Sequence, residues 1–412
     1  MKQIIASLDI GSSNIKLIVG EIHRDKLFVL ACSKVESKGI KKGIIVNEEE
    51  AYSSIKEAFK KAQGILGIKL TRVVLVVPSY FASFVKSEGY TTIDREDNFV
   101  NGDDITKALQ ASVFNRVSPN LELVSVTPKE FIINETSSVK DPKGIEAHRL
   151  SVNSLLGLIP KKNIYLTIDL LEKMDVKVVD LVFGGLCDYF EFKNEENNEK
   201  STAVINIGSN KTEISIIKEN ILISTEVLDI GSRNIDRDIS YIYDISLDDS
   251  KKIKEKFALA SRAKASTSEV VETLTKSNER IKINQYEVSD IVYSRIREIL
   301  ELSKKQINFL TKEEISYIIV TGGTSEIDGF ESVFKEIFGK NKVPSKVEEL
   351  GCRSNIYSTG LGAIKVYHEK LKFRNKFATT ISEEEQGGLF SDKKKINESS
   401  LLGKVYSYFF DN

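Results

Sequence analysis

The sequence predicts an α/β protein of two similar lobes that face each other. Three observations predict it. A phrase of strand, small-residue turn and strand occurs twice, as Leu8-Asp9-Ile10-Gly11-Ser12-Ser13-Asn14-Ile15-Lys16 and as Ile205-Asn206-Ile207-Gly208-Ser209-Asn210-Lys211-Thr212-Glu213. Each copy leads into a second apolar run (Leu17-Ile18-Val19 and Ile214-Ser215-Ile216-Ile217), polar turn residues and a third run of strand length. Elsewhere, apolar runs of strand length alternate with helical periodicity, as in an α/β chain. With 412 residues, 41% of them hydrophobic, the chain can hold more than one domain and a sizeable core.

A meander over 4–35 opens the first lobe. A helix is expected over 48–62, where Ala51, Ile55, Ala58, Phe59 and Ala62 share one face. Residues 73–77 read as a buried strand ended by Pro78. The stretch 83–160 breaks the alternation and reads as a small α+β insertion. It has a helix near 105–114, strands at 121–126 and 131–133, and a turn at Asp141-Pro142-Lys143-Gly144. A helix (164–174) and a strand (176–182) return to the first lobe, and the polar run 193–200 separates the halves. The second lobe begins at Thr202. Residues 250–308 are highly charged and expected to be mostly helical, with Ile291, Ile296, Ile299, Leu300, Leu302 and Ile307 as an apolar stripe. A strand (315–320) and a helix (329–338) follow. From Phe377 to Glu398 the composition is polar, as in a flexible linker.

Composition excludes several functions. There are 59 basic and 60 acidic residues, so the net charge is −1 and no whole-molecule field favours a nucleic-acid partner. Cys32, Cys187 and Cys352 are scattered, as are His23, His148 and His368, so no metal cluster is expected. The cysteines read as small buried residues of a reduced, intracellular protein. Met1-Lys2-Gln3-Ile4-Ile5 enters a strand at once, without the apolar region and cleavage site of a secretory signal. No apolar run approaches the ~18 residues of a spanning helix, so any membrane role is expected at the surface.

Turns of small residues let backbone N–H groups approach an anion closely. In the first box, Gly11, Ser12, Ser13 and Asn14 are placed to take phosphate oxygens, Lys16 to add positive charge, and Asp9 to orient a metal-bound water. The second box offers Asn206, Gly208, Ser209, Asn210, Lys211 and Thr212 in the same arrangement. A third box, Val320-Thr321-Gly322-Gly323-Thr324-Ser325, sets two glycines between a strand and a helix, where backbone can approach a nucleotide. Asp9 is the candidate for any catalytic or Mg²⁺-ordering role.

The end of the chain has a chemistry of its own. Ser399 or Asn397 can cap a helix in which Leu401, Leu402, Val405, Tyr408 and Phe409 share one face, with Lys404 and Ser407 opposite. Such a face suits a membrane interface. Lys393-Lys394-Lys395 upstream adds attraction to anionic lipid of about 1 kcal/mol per charge.

The three boxes, in this order, resemble the phosphate 1, phosphate 2 and adenosine motifs of the actin/Hsp70/sugar-kinase superfamily. Within it the chain resembles the FtsA family of bacterial cell-division proteins over nearly its full length. Gly39-Ile40-Lys41-Lys42-Gly43-Ile44-Ile45-Val46-Asn47 is similar to that family's "KGxIxN/D" segment. Thr127-Pro128-Lys129-Glu130-Phe131-Ile132-Ile133, followed by Asp141-Pro142-Lys143-Gly144-Ile145, is similar to its "P-x-E-[YF]…[DN]-P-x-G" pattern. Thr321-Gly322-Gly323-Thr324-Ser325-Glu326-Ile327-Asp328-Gly329-Phe330 and Tyr357-Ser358-Thr359-Gly360-Leu361-Gly362 are similar too.

The resemblance implies an actin-like, duplicated ribonuclease-H-like core with an FtsA-type 1C insertion and a C-terminal amphipathic helix. Subdomain 1A would span 1–82, 163–198 and 356–376; 1C would be 83–162. Subdomain 2A would be 199–239 and 310–355, and 2B 240–309. A linker over 377–398 and a membrane-targeting helix over 399–412 would follow. ATP with Mg²⁺ would bind between the lobes, with Gly231 and Lys254 joining the box residues. Subdomains 1C and 2B would carry head-to-tail filament contacts. The acidic, apolar C-terminal peptide of FtsZ would meet Arg295, Arg297 and Lys304 on 2B. The location implied is peripheral, on the cytoplasmic face of the membrane at the division site.

Two departures stand out. Phosphate 2 usually reads Asp-x-Gly-Gly-Gly in the family; here it is Asn206-Ile207-Gly208-Ser209-Asn210. Lys251-Lys252-Ile253 stands before Lys254, where many relatives have a ribose-binding Glu. Loss of the carboxylate is expected to weaken Mg²⁺ coordination, leaving at most a weak ATPase whose work is scaffolding. The rivals are a metabolite kinase and a shape-determining or pilus-assembly relative of the same superfamily. A kinase needs a carboxylate base facing a small-molecule pocket, and the sequence offers no clear one.

Overall fold

The computed structural model describes residues 3–114, 116–339, 344–373 and 378–381. The first lobe is a five-stranded sheet in the order Lys177–Phe183, Arg72–Val77, Gln3–Ile10, Asn14–His23, Lys26–Glu36. The second is a four-stranded sheet in the order Ile221–Leu228, Thr212–Lys218, Thr202–Ile207, Tyr317–Thr321. Each contains an antiparallel meander whose first strand pairs in parallel with a strand from later in the chain. The duplication expected from the repeated phrase is therefore present. One apolar core is built around Ile4, Leu8, Phe59 and Val73 and also takes in Val204, Ile217 and Ile319 of the second lobe; another lies around Ile205, Ile216, Ile296 and Phe334.

The expected helix over 48–62 forms as Glu48–Leu66, capped by Asn47 and buried through the five predicted residues. The insertion is a four-stranded sheet, Ser83–Thr92, Arg149–Pro160, Leu121–Ile133, Ser137–Val139, covered by helix Gly102–Val113. Gly89 is required there, because a Cβ would strike the Ser112 backbone. The two strands expected at 121–126 and 131–133 are one. Pro128 is tolerated because Ser137–Val139 pairs only with 131–133, and a register shift leaves Lys129 between the paired Pro128 and Glu130. The turn at Asp141-Pro142-Lys143-Gly144 is present, with Gly144 at φ 72° and the Ile145 N–H donating to the Pro142 carbonyl.

Three further differences have local causes. The region expected to be mostly helical contains helices Leu247–Lys256 and Gln285–Leu310, but also a hairpin, Val270–Leu274 with Arg280–Asn284. The exposed face of that hairpin mixes Val270 and Leu274 with Glu272, Arg280 and Lys282, which blurs the alternation; Ile283 is buried. A nine-residue helix, Gly184–Phe192, follows Lys177–Phe183 and packs on helix Ser358–Phe373. Its Gly184-Gly185 start masks it in the sequence. Helix Ser232–Tyr243 runs through the 239/240 boundary drawn for 2A and 2B.

Residues 378–381 fall in the span expected as linker, yet they are docked on the first strand. Gln3–Ile10 pairs with Arg72–Val77 only at Ser7 and Leu8, so its start is open on that side. The Thr380 N–H donates to the Ile4 carbonyl (2.9 Å), the Ala6 N–H donates to Thr380 Oγ1 (2.7 Å), and Ile381 is buried. The expected tail helix, with Leu401, Leu402, Val405, Tyr408 and Phe409, lies outside the described residues. Among the described residues no helix is long and apolar enough to cross a membrane.

Candidate functional site

The two glycine turns are built alike. The Gly11 N–H donates to the Asn14 carbonyl (3.1 Å) and the Gly208 N–H to the Lys211 carbonyl (2.9 Å). Each turn is also held from outside. Ser37 donates its N–H to the Ser13 carbonyl and its Oγ–H to the Gly11 carbonyl. In the second lobe the first amides of helix Ser232–Tyr243 do this work: Ser232 N–H reaches the Gly208 carbonyl (3.0 Å) and Arg233 N–H the Ser209 carbonyl (2.8 Å). Between the turns lies a cleft of about 510 Å³ with residues of both lobes on its walls. That is within the ~300–1,000 Å³ usual for small-molecule sites.

The structure brings most of the predicted residues together there. Asp9, Gly11, Ser12, Ser13, Asn14 and Lys16 line one wall; Asn206, Gly208, Ser209, Asn210 and Lys211 line the other, with Gly322, Gly323, Thr324 and Lys254. Two predicted residues do not line it. Thr212 is fully buried and donates to the Ile230 carbonyl (2.8 Å), because strand alternation turns Lys211 and Glu213 to the cleft and Thr212 away. Gly231 sits behind the turn, where a Cβ would lie 2.6 Å from both the Gly208 and Ser209 carbonyl oxygens. Its φ of −164° is ordinary, so the need is for space alone. Gly231→Ala is therefore expected to push the second turn off its helix and, on a nucleotide reading of the cleft, to weaken binding of an ATP analogue about tenfold, or ~1.4 kcal/mol. Unchanged affinity by calorimetry would refute this.

Charges in the cleft are largely paired within the protein. Lys16 Nζ lies 2.6 Å from Asp9 Oδ2, and Lys254 Nζ 2.6 Å from Asp236 Oδ1. Asn206 turns its amide away from the turn and donates from Nδ2 to Asp188 Oδ2 (2.6 Å) and Thr359 Oγ1 (3.2 Å). Asp188 is fully buried and also accepts from Ser358 Oγ (2.7 Å) and Thr359 Oγ1 (2.9 Å). Burial pushes its carboxyl up to about 6, against the pull of these three donors.

Sequence reasoning missed Asp188 and Glu213. Glu213 takes Ser79 Oγ–H (2.7 Å) and Gly185 N–H (3.1 Å) on one oxygen and Lys211 (3.1 Å) on the other, joining the second lobe to the first. A signal for it existed. Asp9 pairs across its hairpin with Lys16, and Asn206 with Glu213 in the same register, so the second box does carry a carboxylate, on the opposite strand. Asp188 had no signal, since only the fold brings its short helix to Asn206. The lobes are also tied by Asp229, which accepts from the Tyr80 hydroxyl (2.9 Å) and pairs with Lys42. Lys42 holds the Asp229 carboxyl below its ordinary value.

The residues present fit a nucleotide in one respect above all. Ser209 Oγ and Thr324 Oγ1 are buried on the cleft walls with no hydrogen-bond partner, one from each of two boxes. Among the described residues no group of three His, Cys, Asp or Glu side chains is placed to hold a metal ion.

The three cations predicted to receive a peptide are engaged internally. Arg295 grips Asp238 with both arms of its guanidinium (2.7 and 3.0 Å) and also reaches Glu298. Arg297 donates to Glu301 (3.0 Å) and the Tyr293 hydroxyl (3.1 Å). Lys304 donates to the Ile337 carbonyl (2.7 Å).

Comparison with known proteins places this geometry. The family described as "Cell division protein FtsA" matches residues 203–362, and the "SHS2 domain inserted in FTSA" matches 82–156. Together they account for more than half of the chain. The chain belongs to the FtsA family. It is 27% identical over 365 residues to the cell division protein FtsA of Bacillus subtilis (strain 168), covering 88% of this chain and 83% of that one. It is 26% identical over 401 residues to FtsA of Staphylococcus epidermidis, covering 96% and 86%. The inserted sheet and helix are therefore the SHS2 insertion of FtsA. The fold is actin-like. It is similar to MreB5 of Spiroplasma citri bound to ADP (TM-score 0.53, 12% identity, 90% of this chain and 97% of that one). It is also similar to a chain of the PilM-PilN type IV pilus biogenesis complex (TM-score 0.60, 13% identity, 88% and 98%).

Proposed function

We propose that this FtsA-family chain binds ATP between its lobes, polymerises on the cytoplasmic membrane and anchors FtsZ filaments of the division ring. The observation that carries the reading is the cleft itself: two like turns, one from each lobe, face each other beside the unpartnered Ser209 and Thr324 hydroxyls. ATP there is a conformational ligand, since contact with both turns favours the closed form. Backbone amides of the two turns and the hydroxyls of Ser12, Ser13 and Ser209 take phosphate oxygens, while Lys16 and Lys211 offset charge. Gly322 and Gly323 make room for the base and sugar.

Hydrolysis is slow on this reading. Asp9 faces Lys16, and Asn206 is committed to Asp188, so the chain supplies little to order Mg²⁺ or an attacking water. For the FtsZ peptide, Lys304 borders a second cavity of about 610 Å³ floored by Ile307, Ile315, Ile318 and Phe338. The apolar part of such a peptide matches that floor, and its acidic part would meet Lys304 and Lys312 beside Glu313 and Glu314, whereas Arg295 would first have to leave Asp238.

The test is co-sedimentation with anionic liposomes, with and without ATP, of the full chain and of a version ending at Glu398. The full chain is expected to pellet and carry FtsZ down; the truncation stays soluble. Phe409→Glu with Leu402→Glu is expected to behave like the truncation. Equal pelleting of full and truncated chains would overturn the anchoring role.

A further inference from the structure

Three turns meet across the lobes where neither crossing of the chain holds them. The chain passes to the second lobe after helix Gly184–Phe192 and returns before helix Ser358–Phe373, and Lys42, Tyr80 and Asp229 belong to neither passage. Lys42 sits in the two-residue turn between strands Ile40–Lys41 and Ile44–Ile45, where it and Gly43 both have positive φ (58° and 79°). Tyr80 sits in a turn just past strand Arg72–Val77. The Ala82 N–H donates to the Ser79 carbonyl (3.1 Å), and the buried Asn163 donates from Nδ2 to the Tyr80 carbonyl (2.8 Å), so the turn is mounted firmly on the first lobe. Asp229 follows strand Ile221–Leu228 of the second lobe and takes both the Tyr80 hydroxyl (2.9 Å) and the Lys42 ammonium. Two ammonium groups lie over the Tyr80 ring, Lys42 of the first lobe at 5.6 Å and Lys211 of the second at 5.5 Å. Lys211 leads on to Glu213, which takes Ser79 and Gly185 of the first lobe.

We propose that Lys42, Tyr80 and Asp229, joined through Lys211 to Glu213, form a latch that holds the two lobes together by the protein's own side chains, whatever the cleft binds. An exposed ion pair such as Lys42 with Asp229 contributes little by itself. Here a hydroxyl bond and an aromatic ring are added to it, and the chain of contacts ends on Glu213, whose side chain is only 8% exposed. Burial and the neighbouring Asp229 carboxylate push the Tyr80 hydroxyl well above its ordinary value, so it keeps its proton and remains a donor. The contacts join residues of different lobes, so they exist only while the lobes are together, and they shift the balance between open and closed forms by that difference. Lys218 and Glu313 form an ion pair of similar exposure (2.8 Å) inside the second lobe, and that pair is the internal control.

The latch does not rest on the nucleotide reading, and its test uses no nucleotide. Two readouts are taken on the full chain. Nitroxide labels at Lys60→Cys and Lys256→Cys, exposed helix positions in the first and second lobes, report the distance between lobes in a Cys32→Ser background. Hydrogen exchange of the Gly185 N–H, which is bonded across the lobes to Glu213, reports opening. The parent should show one narrow distance distribution. Asp229→Ala, at an exposed turn and touching neither Gly185 nor a label site, should lengthen that distance and speed Gly185 exchange about fivefold. Tyr80→Phe, which keeps the ring and loses only the hydroxyl, should move both readouts the same way by less. Glu313→Ala should move neither. Melting confirms that each variant is folded. Either readout left unchanged by both latch variants, or moved equally by Glu313→Ala, would overturn the latch.

Discussion

Asn206→Asp, the substitution that restores the carboxylate usual in phosphate 2 of the FtsA family, is expected to destabilise this protein by about 3–5 kcal/mol near neutral pH. The amide at 206 is a donor to a buried carboxylate, and aspartate would replace that donor by a second acceptor 2.6 Å from Asp188 Oδ2. Two carboxylates so close cannot both ionise. The sign of the pH dependence follows. Asp188 is already raised from 3.8 to about 6 in the fold, so its favourable contribution is full below about 3.8 and is lost as pH rises through about 6. A second carboxylate raises the pair further, which moves the loss to higher pH and enlarges it. Melting of the variant should therefore lie furthest below that of the parent near pH 8, and the gap should narrow steadily toward pH 5. Asn206→Ala, which removes a donor and adds no charge, should cost about 1–3 kcal/mol with much less pH dependence. A gap for Asn206→Asp that is independent of pH would mean that Asp188 does not carry the charge argued for it.

Much of this protein was legible because its halves repeat. The phrase around Gly11 and Gly208 fixed two hairpins, and the hairpins fixed one cleft. Reading the register one step further would have disclosed Glu213, since Asp9 answers Lys16 as Asn206 answers Glu213. The same alternation puts Thr212 inside, so its assignment to the site was avoidable from sequence. Other features were not available in one dimension. Pro128 broke a strand on paper that the sheet carries through, because the proline sits where the neighbouring strand is too short to need its N–H. Asp188 belongs to a short helix opened by two glycines and fixed by packing against Ser358–Phe373, and local propensity argues against it.

Gly362→Ala is expected to cost about 3 kcal/mol, the upper end for overpacking, although alanine is the better helix former by about 1 kcal/mol. A Cβ at 362 would overlap the Cys187 carbonyl and crowd its Cα, and these are backbone atoms that no rotamer change can move. Helices Gly184–Phe192 and Ser358–Phe373 would have to separate. They are not free to do so, because Asp188, the next residue after Cys187, accepts from Ser358 and Thr359 at the start of the second helix. Spreading the pair lengthens those bonds and frees Asn206 from Thr359, so the disturbance reaches the cleft through the crossing between the lobes. Gly64→Ala supplies the contrast. It sits in helix Glu48–Leu66, exposed, without a positive φ and with nothing within 4 Å of an added Cβ, so the same change should stabilise by about 0.5–1 kcal/mol. Thermal melts should move in opposite directions for the two variants. On the nucleotide reading, affinity for an ATP analogue should fall for Gly362→Ala alone. Melts that move together would show that the close approach of the two helices is not what sets the residue at 362.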